Sequence, residues 1–296
     1  MKRILVIIKS FSIGDTIAAL PYVEKFQTVN PNYEVYIKIN GWLITYFESV
    51  YTTIKFISEN GNNSFDKTIE LDYNFNKSIQ QGYAEGLGFF NSEYIRPNIL
   101  IPNMERPIKN KYVTIGIHST SQLKYWNHPS GKESQQLSPN WTELCGMIRK
   151  KGYTPVVVEK DEMFGIPPYM NGLPSKSNKK YGQSLLESMN YIYHSEFFIG
   201  LSSGMSWVAH AMNKPVAMIS NFTEDWNEFD LSTSDYIRIT NKLVCHGCWN
   251  RVNKEHKFDS SDWYWCPLHK DTERQFECHT SITPQMVYDE IKYWIK

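Results

Sequence analysis

Short β-rich runs alternate with helical stretches along this chain, and that alternation limits the folds it can adopt. The pattern predicts a buried strand at residues 3–9, a loop, and a helix that begins at Asp15. A second strand is predicted at residues 35–39. Strands that are joined by helices pair in parallel, with the helices packed on both faces of the sheet. The sequence therefore predicts an α/β fold.

The same pattern starts again after a stretch that contains several prolines. Residues 60–110 are rich in Asn, Tyr and Phe, and we expect them to be irregular, with an interdomain linker near residues 100–110. Beyond them, the pattern predicts strands at 112–117, 154–158, 196–200 and 215–219, and helices at 141–151, 184–193 and 206–212. We therefore predict two Rossmann-like, doubly wound domains, at residues 1–107 and 108–296.

Composition and charge narrow the class of partner. The 31 Lys and Arg residues balance the 31 Asp and Glu residues, so the chain has no net positive field to hold nucleic acid or an acidic membrane. No stretch approaches the length of about 20 apolar residues that a membrane span needs. The apolar run at the N-terminus ends at Lys9 without the small-residue cleavage site of a signal peptide. We expect a cytoplasmic protein.

Asp15 follows the first strand, where ligands bind in open α/β sheets. At a helix N-terminus the macrodipole favours the ionised carboxylate, which could accept a proton from a substrate hydroxyl. Asp is also a preferred capping residue, so the alternative is that Asp15 only caps the helix.

Two later loops carry groups that suit a diphosphate. Residues 116–126 combine the hydroxyls of Thr120 and Ser121 with the positive charge of Lys124. Residues 201–206 contain Ser202, Ser203 and Gly204, which let the backbone approach an anion at the start of the next helix. The alternatives are a solvated polar loop and an ordinary turn. The glycine fingerprint of dinucleotide-binding proteins is absent after both opening strands, so a nicotinamide or flavin cofactor is not indicated.

Four of the five cysteines lie close to the C-terminus. Cys245 and Cys248 form a C-x-x-C pair, and Cys266 and Cys278 follow singly. Without a secretory signal, clustered thiols favour a metal over disulfides, and four thiolates make a closed, structural site for iron or zinc. We predict a metal finger at residues 243–280 and a terminal helix at residues 284–296, both within the second domain.

Together these segments resemble the autotransporter heptosyltransferases, relatives of the lipopolysaccharide heptosyltransferases in glycosyltransferase family nine. The resemblance covers most of residues 112–296, and before them the signature Gly14-Asp15-Thr16. Its motifs are IGIHSTSQ at 115–122, KYWN at 124–127, FIGLSSGMSW at 198–207, ISNFT at 219–223, EF at 228–229, CHGCW at 245–249, WCP at 265–267 and QFEC at 275–278.

The resemblance implies a GT-B architecture, an inverting transfer that needs no divalent metal at the reacting centre, and a structural iron on the four cysteines. It places Asp15 at the family's catalytic base and Lys124 at its diphosphate-binding lysine. The other implied donor-site residues are Thr120 and Ser121 beside that lysine, Glu159 at the nucleotide ribose, and Ser202, Ser203 and Gly204 in the phosphate loop.

Three departures qualify the resemblance. The chain is shorter than the autotransporter enzymes, so we expect it to lack their extra N-terminal domain. Residues 40–110 carry no motif of a family that we recognise. Ser202 stands where lipopolysaccharide heptosyltransferases commonly have Asp, which favours the autotransporter branch.

The predicted function is therefore the transfer of a heptose or related sugar, from an ADP-sugar or another nucleotide sugar, to a hydroxyl of a protein or glycan. Two alternatives remain: an interaction module that has the metal finger but no catalysis, and a nucleotide-sugar isomerase. Assembly into a homo-oligomer is left open.

Overall fold

Two parallel β-sheets, each flanked by helices, make up the protein. The computed structural model describes residues 1–61, 63–126, 138–167 and 169–296. Asn127, which ends one of the motifs quoted above, lies outside the described residues. Within the described ranges, no helix has the length and apolar character needed to cross a membrane. The α/β prediction is confirmed.

The N-terminal sheet has four strands in the order β3-β2-β1-β4, and every neighbouring pair is parallel. Its elements are β1 (Lys2–Ile8), α1 (Ile13–Val29), β2 (Tyr33–Ile39), α2 (Ile44–Phe47), β3 (Lys55–Ser58), β4 (Lys67–Leu71) and α3 (Ile79–Gly86). Strand β1 is central, so the loop between β1 and α1 opens at the middle of the sheet edge.

The expectation that residues 60–110 are irregular is wrong in part, because this stretch contains β4 and α3. Strand β4 pairs on one side only, at the edge of the sheet. Its residues are mostly exposed, and Leu71 is the one that is buried. The hydrophobic alternation that reveals a strand is therefore weak here. The predicted boundary at residue 107 falls in the segment between α3 and the next strand and stays a prediction.

The C-terminal sheet has six strands in the order β12-β11-β10-β5-β6-β9, again all parallel. Its strands are β5 (Tyr112–Gly116), β6 (Thr154–Val158), β9 (Asn178–Lys180), β10 (Phe198–Leu201), β11 (Val216–Ile219) and β12 (Tyr236–Ile239). An antiparallel hairpin, β7 (Met163–Ile166) and β8 (Tyr169–Gly172), projects between β6 and β9.

In the part of the second half that the structure describes, five helices accompany the sheet: α4 (Pro139–Lys150), α5 (Leu185–His194), α6 (Gly204–Ala211), α7 (Glu277–Thr280) and α8 (Pro284–Ile291). Helix α8 packs against α4 and β12. It ends at Ile291, five residues before the predicted end at residue 296. The terminal helix is therefore confirmed at its start and shorter than predicted.

Helix α1 lies between the two sheets. Every residue from Gly14 to Val23 is buried, as expected for a helix that is covered on all sides. Its main contact in the second half is α6, and one continuous apolar core includes Ile17 of α1 and Val208 of α6. The two halves therefore share a core along these helices.

Two glycines let the N-terminal ends of α1 and α6 come together. A methyl group built on Gly14 would lie 3.4 Å from Cα of Gly204 and 3.0 Å from Cδ1 of Trp207. A methyl group on Gly204 would overlap Cγ2 of Ile13. Glycine at position 204 therefore leaves the space that the Ile13 side chain of α1 occupies.

We predict that Gly204→Ala lowers the free energy of unfolding by about 1–3 kcal/mol, because the added methyl overpacks against Ile13. The measurement is urea denaturation. Gly146→Ala is the matched control, since its methyl would meet only the flexible Lys176 side chain.

The double variant Gly204→Ala with Ile13→Ala removes the overlapping side chain and should restore part of the lost stability. Equal stability of wild type and Gly204→Ala would contradict the close packing of α1 and α6.

Candidate active site

A crevice of about 400 Å³ opens between the two halves at the N-terminal ends of α1 and α6. The carboxyl ends of the central strands of both sheets lead into it, as expected for open α/β sheets. Its lining includes every predicted catalytic and donor-binding residue except Glu159: Asp15, Thr120, Ser121, Lys124, Ser202, Ser203 and Gly204. The structure thus brings together three loops that are far apart in sequence.

Asp15 lies in the first turn of α1 and is 6% exposed. The N-cap of this helix is Ser12, whose hydroxyl accepts a hydrogen bond from the backbone N–H of Asp15 at 3.1 Å. The interpretation of Asp15 as the cap is therefore wrong, and its carboxylate is available to the crevice. Oδ2 accepts hydrogen bonds from the hydroxyls of Ser10, Ser12 at 2.6 Å and Tyr73 at 2.5 Å.

Lys124 faces Asp15 from the second half, at the end of a short 3-10 turn. Its ammonium group lies 4.9 Å from the centre of the Phe222 ring. Burial lowers the pKa of Lys124, while the negative charges of Glu228 and Asp15 oppose that change. An incoming diphosphate would also favour the charged ammonium, so the site is suited to an anionic ligand.

The Ser202–Gly204 loop joins β10 to α6. The hydroxyl of Ser203, the N-cap of α6, is buried and has no hydrogen-bond partner in the described part of the chain. The first backbone N–H groups of a helix also lack intrahelical partners and carry partial positive charge. A hydroxyl donor beside free N–H groups is an arrangement that can bind a phosphate.

A buried ion pair supports this loop from behind. Glu228 accepts a hydrogen bond from Ser202 at 2.9 Å, from Thr223 at 3.0 Å and from Arg238 at 2.7 Å. The Glu228 and Arg238 side chains are each 3% exposed. Because the carboxylate is fully hydrogen-bonded, it holds the Ser202 and Thr223 segments at a fixed separation.

Glu159 lies outside the crevice lining, and its predicted place at the nucleotide stays a prediction. Its Oε1 accepts hydrogen bonds from the backbone N–H groups of Ile117 and of His118, the latter at 2.9 Å. Burial raises the pKa of Glu159 to about 7. The geometry gives this carboxyl a role in holding the 116–126 loop, and it lends no support to a ribose contact.

The cysteine-rich segment forms one cluster beside the crevice. Cys248, Cys266 and Cys278 are buried in it, and Cys245 packs at its edge. Ligand atoms of Cys245, His269 and Glu277 also lie within 4.8 Å of one another. The structure therefore adds His269 and Glu277 to the possible metal ligands.

Four residues at the site were not predicted to act there. Glu228 and Trp249 stand in the motifs quoted above, and these motifs are the sequence signal that could have pointed to them. Arg238 lies on β12 and Tyr73 lies in a stretch that we expected to be irregular. Neither had a local signal, because both reach the site through tertiary packing.

Relatives of known type match nearly the whole length of this chain. The chain is 32% identical to the autotransporter heptosyltransferase Aah of Escherichia coli over 98% of its own length and 74% of that protein. It is 30% identical to the autotransporter heptosyltransferase TibC of E. coli O78:H11 over 97% of this chain and 70% of that protein. No family model matches the sequence.

The chain belongs to the autotransporter heptosyltransferase family. It is thus a glycosyltransferase, and the predicted enzyme class is confirmed. One family member that is 28% identical over 66% of this chain, BimC of Burkholderia thailandensis, is named as inactive.

The crystal structure of TibC has the same fold as this chain. The TM-score is 0.85 at 28% identity, with 99% of this chain and 76% of that chain covered. TibC is described as an iron-containing dodecameric glycosyltransferase, and a second structure shows it in complex with ADP-D-β-D-heptose. The fold therefore matches that of a solved heptosyltransferase, as the predicted GT-B architecture requires.

Proposed function

We propose that this protein transfers a heptose from ADP-heptose to a hydroxyl of an acceptor, with inversion at the anomeric carbon. The observation that carries the proposal is that Asp15 from the first half and the Ser202–Gly204 loop from the second half line one crevice. The complex of TibC with ADP-D-β-D-heptose supports the choice of donor. A cavity of about 400 Å³ is in the range of small-ligand sites.

The reaction is a displacement at the anomeric carbon. The acceptor hydroxyl gives its proton to Asp15 while its oxygen bonds to that carbon. The bond from this carbon to the diphosphate breaks, and its electron pair leaves with the ADP. Lys124 and the donors at the start of α6 stabilise the charge that builds up on the departing phosphate. Attack from the Asp15 side, opposite the leaving group, inverts the configuration.

The family's name motivates a protein acceptor, and we propose a serine or threonine hydroxyl of an autotransporter. A glycan hydroxyl would satisfy the same chemistry. We also propose a homo-oligomer, since TibC is described as dodecameric, and a cytoplasmic location, where free thiols such as these persist.

A structural metal is the second part of the proposal. Four thiols lie in one packing cluster, four thiolates are a common ligand set for tetrahedral iron or zinc, and TibC is described as iron-containing. We therefore propose that Cys245, Cys248, Cys266 and Cys278 hold an iron ion. A closed site of this kind stabilises the fold and supplies no group to the transfer.

The role of Asp15 predicts that Asp15→Asn lowers kcat at least 100-fold, because the amide cannot accept the proton. ADP affinity should stay within a few-fold of wild type in isothermal titration. Asp289→Asn, on the exposed face of α8, is the matched control and should keep full activity. Turnover is followed by mass spectrometry of the acceptor.

Lys124→Met should weaken ADP binding roughly tenfold or more, because a charged hydrogen-bond partner of the diphosphate is lost.

If the Asp15→Asn variant turns over at the wild-type rate, Asp15 is not the base. A protein that binds ADP but modifies no acceptor would be a binding module, as the inactive relative suggests. Sugar conversion without an acceptor would indicate an isomerase.

The metal proposal predicts that Cys266→Ser loses the bound metal, while His269→Ala and Cys145→Ser keep it. Cys145 is the control because it is buried in the core at α4, away from the cluster. Elemental analysis measures the metal, and a visible absorption band distinguishes iron from zinc. Loss of metal in His269→Ala with retention in Cys266→Ser would instead favour ligation by Cys245, His269 and Glu277.

A further inference from the structure

Tyr73 contacts Asp15, the proposed base, and has no part in the reaction proposed above. It lies in the segment between β4 and α3, and its hydroxyl donates to Oδ2 of Asp15 at 2.5 Å. Its ring lines the crevice. The phenol therefore contacts the one carboxylate that the transfer requires.

The other two donors to Asp15 are local. Ser10 and Ser12 stand five and three residues before Asp15, so their hydrogen bonds belong to the turn that begins α1. Tyr73 is 58 residues away along the chain. It fixes the carboxylate relative to the rest of the first domain, which the two serines cannot do.

The Tyr73 ring is held in turn by the second half of the molecule. Trp249, the residue after Cys248, packs edge-to-face on it, with ring centres 5.1 Å apart and an interplanar angle of 85°. The backbone N–H of Trp249 donates to the carbonyl of Phe222 at 3.0 Å. A contact chain therefore runs from the cysteine cluster through Trp249 and Tyr73 to Asp15.

We propose that Tyr73 is a positioning residue for Asp15, and that Trp249 holds Tyr73 in place when the two halves are packed together. This inference rests on the proposed role of Asp15 as the base. Three donors engage Oδ2, so Oδ1 is the oxygen that takes the proton of the acceptor hydroxyl.

Tyr73 keeps its own proton throughout. Burial raises the pKa of Tyr73, and the negative charge of Asp15 raises it further. The other titratable groups that interact with Asp15 are Tyr83 from α3 and Lys124 from the second half. Since Tyr83 is also an uncharged phenol at neutral pH, Lys124 is the one positive charge among these groups.

The test is the variant Tyr73→Phe, which keeps the ring on Trp249 and removes only the donor. We expect kcat to fall about tenfold while the KM for ADP-heptose stays within twofold. The acid limb of the pH profile of kcat should move up by about one pH unit, because the anionic carboxylate has lost a hydrogen bond. A purely structural role would not move this limb.

Tyr51→Phe is the matched control. Its hydroxyl accepts a hydrogen bond from the backbone N–H of Asn98 at 2.8 Å, within the same half and away from the crevice. It should lose some thermal stability and keep the wild-type pH profile. Trp249→Leu provides a second variant, and it should lower kcat in the same direction as Tyr73→Phe, with less than additive loss in the double variant.

The two variants distinguish the positioning role of Tyr73 from the proposed role of Asp15 as the base. If Asp15→Asn is inactive and Tyr73→Phe has wild-type kcat and pH profile, the positioning role is wrong and the base stands. If Asp15→Asn retains wild-type turnover, the base assignment fails and the role of Tyr73 fails with it.

Discussion

The close packing of α1 against α6 is the contact on which the rest of the site depends. Gly14 and Gly204 remove the side chains that would separate the two helices, so their N-terminal ends meet at the crevice. One end carries the carboxylate of Asp15, and the other carries the free donors beside Ser203. Backbone geometry thus brings the proposed proton acceptor and the proposed phosphate-binding loop to the same crevice.

Charge balance explains why so many ionisable groups can be buried around this contact. Arg238 neutralises Glu228 behind the phosphate loop, and Lys124 faces Asp15 across the crevice. Burial lowers the pKa of Lys124, and the negative charges of Glu228 and Asp15 oppose that change. In the proposed function, a bound diphosphate would add negative charge beside Lys124 and would favour its charged form.

Much of the fold and of the candidate site could be predicted from the sequence wherever the evidence was a local pattern of residues. The strand at 154–158 was predicted to the residue, because its apolar run is bounded by clear breaks. The loop positions of Asp15 and Lys124 followed from strand ends. Strand β4 was missed because its side chains are mostly exposed. The role of Tyr73 could not be predicted, since it depends on a contact across 58 residues.

The measurement that most directly tests the central claim is a crystal structure of Asp15→Asn with ADP-heptose bound. We predict that the diphosphate lies against Lys124 and the start of α6, with the anomeric carbon facing residue 15 and room for one hydroxyl between them. A diphosphate bound elsewhere, or a sugar turned away from α1, would contradict the account.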